Sequence, residues 1–400
     1  MPRREEVRFA VKALPLGGPN RAELMRTMMP HPLVYQELPF DPEFGLYNNR
    51  LVALRFPSVP AEDMYWAIRR EAVTRHTGEY ALEIRGPDAV RLLNFVFTRD
   101  VSKVKVGRCS YQFACYDEGG MITDGVLVRL AEDRFWYGQA EGDLYSWLKA
   151  HGRGLDVEVI DPNLWISQVQ GPNSLKILEA AIDGPYPEPF RYFDSATVSI
   201  AGQELLITRT GFTNELGWEY YMTPDIDAEA VGDRIAEVGE AFGLRPISIF
   251  GARRIESGLL NAGSDFDETT TPFDVGLGAM VDFEKGEFVG REALMKADRR
   301  CRLWGMKVEG EGAFPWNGRA IKIDNEEVGL VCSSAWSPYL QCGVAFVRMD
   351  DPEHGPGTRV DVDCKDGQVH PGELCELPMY DKDRAIPRGK LVDIPERIGD

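Results

Sequence analysis

Lys285-Gly286-Glu287-Phe288-Val289-Gly290-Arg291-Glu292-Ala293-Leu294 is the stretch of this chain that decides its fold. Read locally, it is a turn, a short extended piece and a helix start. Gly286 and Gly290 punctuate it, as glycines do where the backbone needs freedom. The helix that follows is expected over Arg291–Lys296.

Upstream, one design occurs twice. Ala81-Leu82-Glu83-Ile84-Arg85-Gly86-Pro87-Asp88-Ala89-Val90-Arg91-Leu92-Leu93 reads as a strand, a Gly-Pro break and an apolar-periodic helix. Ser167-Gln168-Val169-Gln170-Gly171-Pro172-Asn173-Ser174-Leu175-Lys176-Ile177-Leu178 repeats it. In each, Gly permits the turn and Pro pre-sets the first helical turn. Two similar lobes are therefore expected. Alternation predicts strands at Met121–Leu130, Phe135–Gly138, Thr197–Ile200 and Glu204–Thr208. Helices are expected at Ala61–Ala72 and Asp227–Phe242. Beyond Arg299 the pattern changes to short strands with turn residues: Leu303–Val308, Arg319–Ile323, Glu327–Cys332, Gly343–Val347 and Arg359–Val362. The division that results is an irregular N-terminal arm over 1–45, a bilobal region over 46–298, a β module over 299–385 and a tail over 386–400. The arm, whose irregular character runs to about residue 50, is expected to hold one short helix near Arg21–Met28.

The chain has 400 residues, 44% of them hydrophobic and 27% charged, which suits a globular protein of two or three domains. Its net charge of −19 argues against nucleic acid or an anionic membrane as partner, because both need basic surface. Seven cysteines occur singly with no C-x-x-C pair, which reads as reduced thiols. No apolar run approaches a membrane span and the N-terminus does not read as a signal peptide. A cytoplasmic protein is expected, and a homo-oligomer is open. There is no P-loop, no G-x-G-x-x-G after a strand and no H-E-x-x-H, so a bound nucleotide, flavin or metal is not indicated.

Several residues stand out chemically. Asp124 lies in Asp117-Glu118-Gly119-Gly120-Met121-Ile122-Thr123-Asp124-Gly125-Val126, a hairpin whose strand is otherwise apolar. A carboxylate there is costly unless paired or used; it either caps the hairpin or faces a cleft. Arg209-Thr210-Gly211-Phe212-Thr213-Asn214-Glu215-Leu216-Gly217-Trp218-Glu219-Tyr220-Tyr221 is a Gly-punctuated turn entering a strand. Glu219 either faces solvent or accepts paired N–H groups from a ligand, and Tyr221 shares its strand face. Gln170 precedes Gly171-Pro172. Arg253 and Arg254 are candidate anion binders or partners of Glu256 and Asp265. Phe212, Trp218, Tyr220, Tyr221 and Trp336 could stack on a ring or simply fill the core.

These strings together resemble the aminomethyltransferase family, the glycine-cleavage T-proteins. The opening stretch is similar to that family's K-G-x-F-I/V-G-R-E-A-L signature, residues 119–124 to its G-G-x-x-x-D, residues 209–219 to its R-x-G-aromatic-T-x-E-x-G-aromatic-E, residues 170–172 to its Q-G-P, and Ser334-Ala335-Trp336-Ser337-Pro338 to its strand and S-P turn. The resemblance covers about Leu46 to Tyr380. It implies an α+β, three-lobed T-protein-like fold with two related α/β lobes and a C-terminal β-barrel or jelly-roll-like module. It implies tetrahydrofolate as cofactor, with Asp124 at the reactive end of the folate and Glu219 receiving the pterin N–H groups. Gln170, Tyr111, Tyr221, Arg253 and Trp336 are the further candidates for the cofactor.

Within the family, Leu46-Tyr47-Asn48-Asn49, Phe97-Thr98-Arg99-Asp100-Val101-Ser102-Lys103, Gly263-Ser264-Asp265-Phe266-Asp267 and Leu374-Cys375-Glu376-Leu377-Pro378 are similar to the dimethylsulfoniopropionate demethylases. Thr74-Arg75-His76 departs from that branch's W-D-V, and Phe212 stands where it has a pocket Trp. The resemblance implies methyl transfer from a small methylated donor, dimethylsulfoniopropionate or another onium compound, to N5 of tetrahydrofolate. Phe212, Trp218 and His76 are the candidates to meet that donor. An aryl methyl ether would instead need an acid at its leaving oxygen, for which His76 and Tyr111 are the candidates. A methylated-amine or glycine-type aminomethyltransferase, a non-catalytic folate binder, and a domain that serves an amine dehydrogenase are the other readings.

Overall fold

The computed structural model describes residues 29–249 and 251–392. The expected helix near Arg21–Met28 and the end of the tail lie outside these residues. The chain divides into two compact units. The first takes the described residues of Met1–Ala81, Pro162–Gly211 and Glu215–Phe250, and the second those of Leu82–Asp161, Phe212–Asn214 and Gly251–Asp400.

The first unit is built on a six-stranded sheet. Its order is Ser195–Ile200, Gln203–Thr208, Gly217–Met222, Trp165–Gln170, Ala72–His76 and Leu244–Pro246. All pairings are antiparallel except the last. One face carries Val169, Trp218, Tyr220, Leu205 and Ile207, packed with Ile177 and Leu178 of the helix Ser174–Ala181 and with Val231 and Ile235 of Ala228–Gly239. Burial of such apolar surface is the main stabilising term, at roughly 25 cal/mol per Å². The opposite face holds a polar row, described below.

The second unit repeats the plan. Its five-stranded sheet runs Cys109–Cys115, Met121–Ala131, Arg134–Gln139, Tyr80–Arg85 and Glu158–Ile160. In each sheet a three-strand meander lies beside the strand that leads into the Gly-Pro turn. The two turns are alike in detail. Gly86 has φ +127° and Gly171 φ +121°. A Cβ at Gly86 would stand 2.6 Å from the Asp156 carbonyl oxygen, and one at Gly171 2.7 Å from that of Glu71. Only glycine lets strand and helix approach so closely. Asp88 N–H donates to that same Asp156 oxygen and Asn173 N–H to that of Glu71. The duplicated strand–turn–helix unit read from the sequence is present in both sheets.

The second unit also contains a closed barrel of six strands in the order Leu303–Val308, Cys342–Met349, Glu326–Ser337, Ala320–Ile323, Arg359–Asp363 and Val369–Cys375. Met306, Val331, Ala345, Val347, Val360 and Leu374 are buried together in its core. The sequence reading missed the sixth strand, where Pro371 and Gly372 interrupt the alternation.

The opening stretch acts as a clasp inside this unit. Lys285 Nζ donates to the carbonyls of Asn94 and Phe97, at the C-terminal end of the helix Ala89–Val96. Val289 N–H donates to the Phe95 carbonyl, while Phe288 and Leu294 enter the core. A partly buried cation at a helix C-terminus satisfies carbonyls that the helix cannot. The helix Arg291–Lys296 has the expected bounds.

Two expectations need correction. The N-terminal arm is not irregular throughout: Met29–Pro30, Glu43–Tyr47 and Arg50–Arg55 form a sheet. Asn48 and Asn49, both at positive φ, make the two-residue hairpin turn, a conformation asparagine tolerates. The first helix ends at Arg70, and Ala72 opens a strand.

Candidate functional site

In the second unit, Asp124 is the fourth residue of the strand Met121–Ala131 and is 5% exposed. Phe113 opposes Asp124, and Tyr111 opposes Val126. Tyr111 and Asp124 are therefore diagonal neighbours on one sheet face. The Tyr111 hydroxyl donates to Asp124 Oδ2 at 2.7 Å. No other side chain hydrogen-bonds the Asp124 carboxyl among the described residues. Burial pushes that carboxyl up to about 6, against the lowering effect of the Tyr111 bond, and Asp265 adds a small push upward. Burial and the Asp124 charge hold the Tyr111 phenol well above its ordinary value. Arg99 Nη1 donates to the Tyr111 carbonyl at 2.6 Å.

In the first unit, the register places Arg75, Gln168, Glu219 and Thr208 directly opposite one another across four adjacent strands. Directly opposed residues share a face. Thr210 Oγ1 donates to Glu219 Oε2, and Oε1 accepts no hydrogen bond among the described residues. Glu219 is partly exposed. Burial pushes its carboxyl up to about 7; Glu79 adds to this, while Thr210 and Arg75 oppose it. Tyr221 lies two residues along on the same face, as expected, and is 3% exposed.

The loop that presents Glu219 is held by buried polar contacts. Gln170 Nε2 donates to the Thr210 carbonyl at 3.1 Å and is 1% exposed. A Cβ at Gly211 or Gly217 would lie within 2.4 Å of the Gln170 amide, so both glycines make room for it. Arg209 Nη1 donates to the Gly217 carbonyl at 2.5 Å. Arg69 and Glu215 form an enclosed ion pair at 2.6 Å. Gln170, a candidate for the cofactor by sequence, is thus buried within the loop that it holds.

Two expected contacts are not available where the sequence reading put them. Trp218 is 0% exposed and lies on the helix-covered face, its indole N–H donating to the Ser174 carbonyl at 2.9 Å. It adjoins Glu219 in a strand, so the two must point to opposite faces. His76 shares that core face: it opposes Ser167 and its Nδ1 lies 3.0 Å from Ser167 Oγ. Burial holds its imidazole down to about 3, so it stays neutral and offers no proton. Arg253 is 1% exposed, bonded to Glu256 and Tyr380. Arg254 bonds Asp265 and Ser333, each at 2.7 Å. Arg253 and Arg254 thus take the second of the two roles their sequence allowed, as partners of Glu256 and Asp265, and not the place at the cofactor also considered for Arg253. Phe212 and Trp336 are partly exposed, and Trp336 lies on a barrel strand opposite Gly343.

Sequence reading missed Arg75 and Gln168. Once Glu219 is chosen, only the strand register selects its cross-strand row. No register is visible in one sequence.

Two family descriptions match the chain: GCVT N-terminal domain over residues 53–285, and glycine cleavage T-protein C-terminal barrel domain over residues 302–381. The chain belongs to the glycine-cleavage T-protein family. It is 34% identical to the aminomethyltransferase of Halothermothrix orenii over 317 residues, 76% of this chain and 86% of that one. It is 32% identical over 372 residues to the trimethylamine-oxide aldolase of Ruegeria pomeroyi. That match covers 87% of this chain but only 46% of the longer relative. The crystal structure of glycine cleavage system aminomethyltransferase T from Bartonella henselae shares the fold, with a TM-score of 0.80 at 23% identity, covering 89% of this chain and 99% of that one. As a T-protein, the chain is a tetrahydrofolate-dependent one-carbon transferase. Its residues fit that cofactor: Glu219 keeps one carboxylate oxygen open for N–H donors, and Asp124 is a buried carboxyl able to change charge near neutrality. Among the described residues no helix is long and apolar enough to cross a membrane, and no His, Cys, Asp or Glu cluster could hold a metal ion.

Proposed function

We propose that this T-protein moves a methyl group from a small onium donor, with dimethylsulfoniopropionate the favoured compound, to N5 of tetrahydrofolate. Tetrahydrofolate supplies the nucleophilic amine. Glu219 accepts the pterin N–H groups through its open oxygen, with Thr210 fixing the other. Asp124, held by Tyr111, takes the proton that N5 sheds as it is methylated; the carboxylate form is required, and it predominates above about pH 6. Positioning supplies much of the remaining rate, because orientation of two reactants alone can contribute roughly 7–11 kcal/mol.

One observation favours the onium donor over an aryl methyl ether. A sulfonium or ammonium donor leaves as a neutral thioether or amine and needs no proton. A phenolate needs one. Both residues considered for that task are otherwise engaged: His76 is buried and neutral on the core face, and Tyr111 donates to Asp124. The branch similarities at residues 46–49, 97–103 and 374–378 add support for dimethylsulfoniopropionate.

The test is an anaerobic incubation of the purified protein with tetrahydrofolate and a panel of sulfonium, ammonium and aryl ether donors, followed by mass spectrometry of 5-methyltetrahydrofolate. Methyl transfer from an onium donor, with none from the ethers, is expected. Transfer from an aryl ether would overturn the donor assignment. Folate binding without transfer from any donor would overturn the catalytic reading in favour of a folate binder or a missing partner enzyme.

A further inference from the structure

The polar row of the first unit also contains a positive charge, that of Arg75. Arg75 opposes Gln168, which opposes Glu219. Adjacent strands lie about 4.8 Å apart, so the Arg75 and Glu219 backbones are roughly 10 Å apart on one face. Arg75 is partly exposed. Its guanidinium makes no hydrogen bond and no ion pair among the described residues, and its Nε is enclosed without a partner. Its charge is felt by Glu219 on one side and by Glu37 on the other, but it bonds neither. Glu37 is 2% exposed, and its Oε1 is likewise enclosed without a partner. A half-buried guanidinium with unused donors is costly unless an acceptor reaches it.

Glu219 and Arg75 offer opposite chemistry. A carboxylate accepts only; a guanidinium donates only. The recognition edge of a pterin has the matching order, N–H donors at the 2-amino group and N3, then the oxygen at position 4. Resting on the proposed role of Glu219, we infer that Arg75 donates to the 4-oxo oxygen of the pterin. The row then reads one whole edge of the ring and rejects pteridines with an amine at position 4, since arginine cannot accept from an amine. A site built to hydrogen-bond one group discriminates strongly against an analogue that lacks it, because the site's own polar group is left unpaired.

The probes are tetrahydrofolate and tetrahydroaminopterin, in which an amine replaces the oxygen at position 4 and N3 no longer carries a hydrogen. Their dissociation constants are measured anaerobically by calorimetry for the native chain, Arg75→Met, Arg75→Lys and Glu219→Gln. The native chain should bind tetrahydrofolate at least tenfold tighter than the 4-amino compound. Arg75→Met should lose tenfold or more for tetrahydrofolate and lower the ratio severalfold, leaving only the part due to the N3–H that Glu219 accepts, with Arg75→Lys between. Equal affinities in the native chain would overturn the inference, as would an Arg75→Met variant that loses affinity equally for both compounds or for neither. Should Arg75→Met fail to fold, the native ratio and Arg75→Lys still decide. A Glu219→Gln variant that binds both compounds as the native chain does would sink the pterin role of Glu219. Arg75 would then stand or fall on its own ratio.

Discussion

The two sheets share a plan and differ in what they do with one carboxylate. Each sets a three-strand meander beside the strand before a Gly-Pro turn, and each presents an acid with one oxygen fixed by a neighbouring hydroxyl. In the second unit the acid is Asp124 in the middle strand of the meander, the hydroxyl is a phenol, and no other side chain bonds the carboxyl. In the first it is Glu219 in the last strand of the meander, the hydroxyl is an alcohol, and Arg75 and Gln168 complete a row. A lone buried acid near its titration point suits proton transfer. An acid in a row of complementary groups suits recognition. On the proposed reading, the same scaffold, duplicated, takes on two tasks through a few side chains.

The largest expected effect falls on turnover. Asp124→Asn should lower kcat about 10²- to 10⁴-fold, the range for a positioned base, with tetrahydrofolate affinity within a few fold of native. Stability should move the other way. The folded carboxyl, raised from 3.8 to about 6, keeps its proton after the unfolded chain has lost it. The resulting penalty is absent below about pH 4 and complete above about pH 6. Asp124→Asn should therefore melt no lower than the native chain at pH 7.5, by calorimetry. A lower melting temperature there would mean that burial does not raise this group.

Next comes affinity. Glu219→Gln removes charge-assisted bonds and should weaken tetrahydrofolate about ten- to a hundredfold, with the methyl-transfer rate at saturation nearly unchanged. Tyr111→Phe should have a smaller effect, less than tenfold in kcat, but with a direction. The phenol bond lowers the Asp124 pKa. Its loss should move the acid limb of the pH–rate profile upward from about pH 6, whereas a purely structural Tyr111 would leave the limb in place.

How legible was this in the sequence? The Gly-Pro repeat announced the duplicated lobes because a strand and helix pressed together need glycine at one position. The clasp at Lys285 was recognisable, though its task of closing a helix end was not. Asp124 drew attention because a carboxylate in an apolar strand is costly. Arg75 did not, because an arginine in a strand looks like any surface cation until register places it beside Gln168. Trp218 and His76 were misplaced for a simpler reason. Trp218 adjoins Glu219 in a strand, so alternation alone excludes both from one face.

The smallest effect concerns Glu37, which flanks Arg75. Burial raises its carboxyl from 4.5 to about 8. The folded chain retains that proton longer than the unfolded chain, so stability should fall as pH rises from about 4.5 to about 8 and level off beyond. Glu37→Gln should raise the melting temperature at pH 8.5 and leave it unchanged near pH 4. An equal shift at both would assign the effect to packing.

The division of labour is tested most directly by one crossed experiment. Tetrahydrofolate dissociation constants and single-turnover methyl-transfer rates at saturating folate are measured for Asp124→Asn and Glu219→Gln, with the donor that supports turnover. The expected result is a crossed pattern: Asp124→Asn loses rate and keeps affinity, while Glu219→Gln loses affinity and keeps rate. If both variants lost rate and affinity together, the two carboxylates would not hold separate tasks and the account would be contradicted.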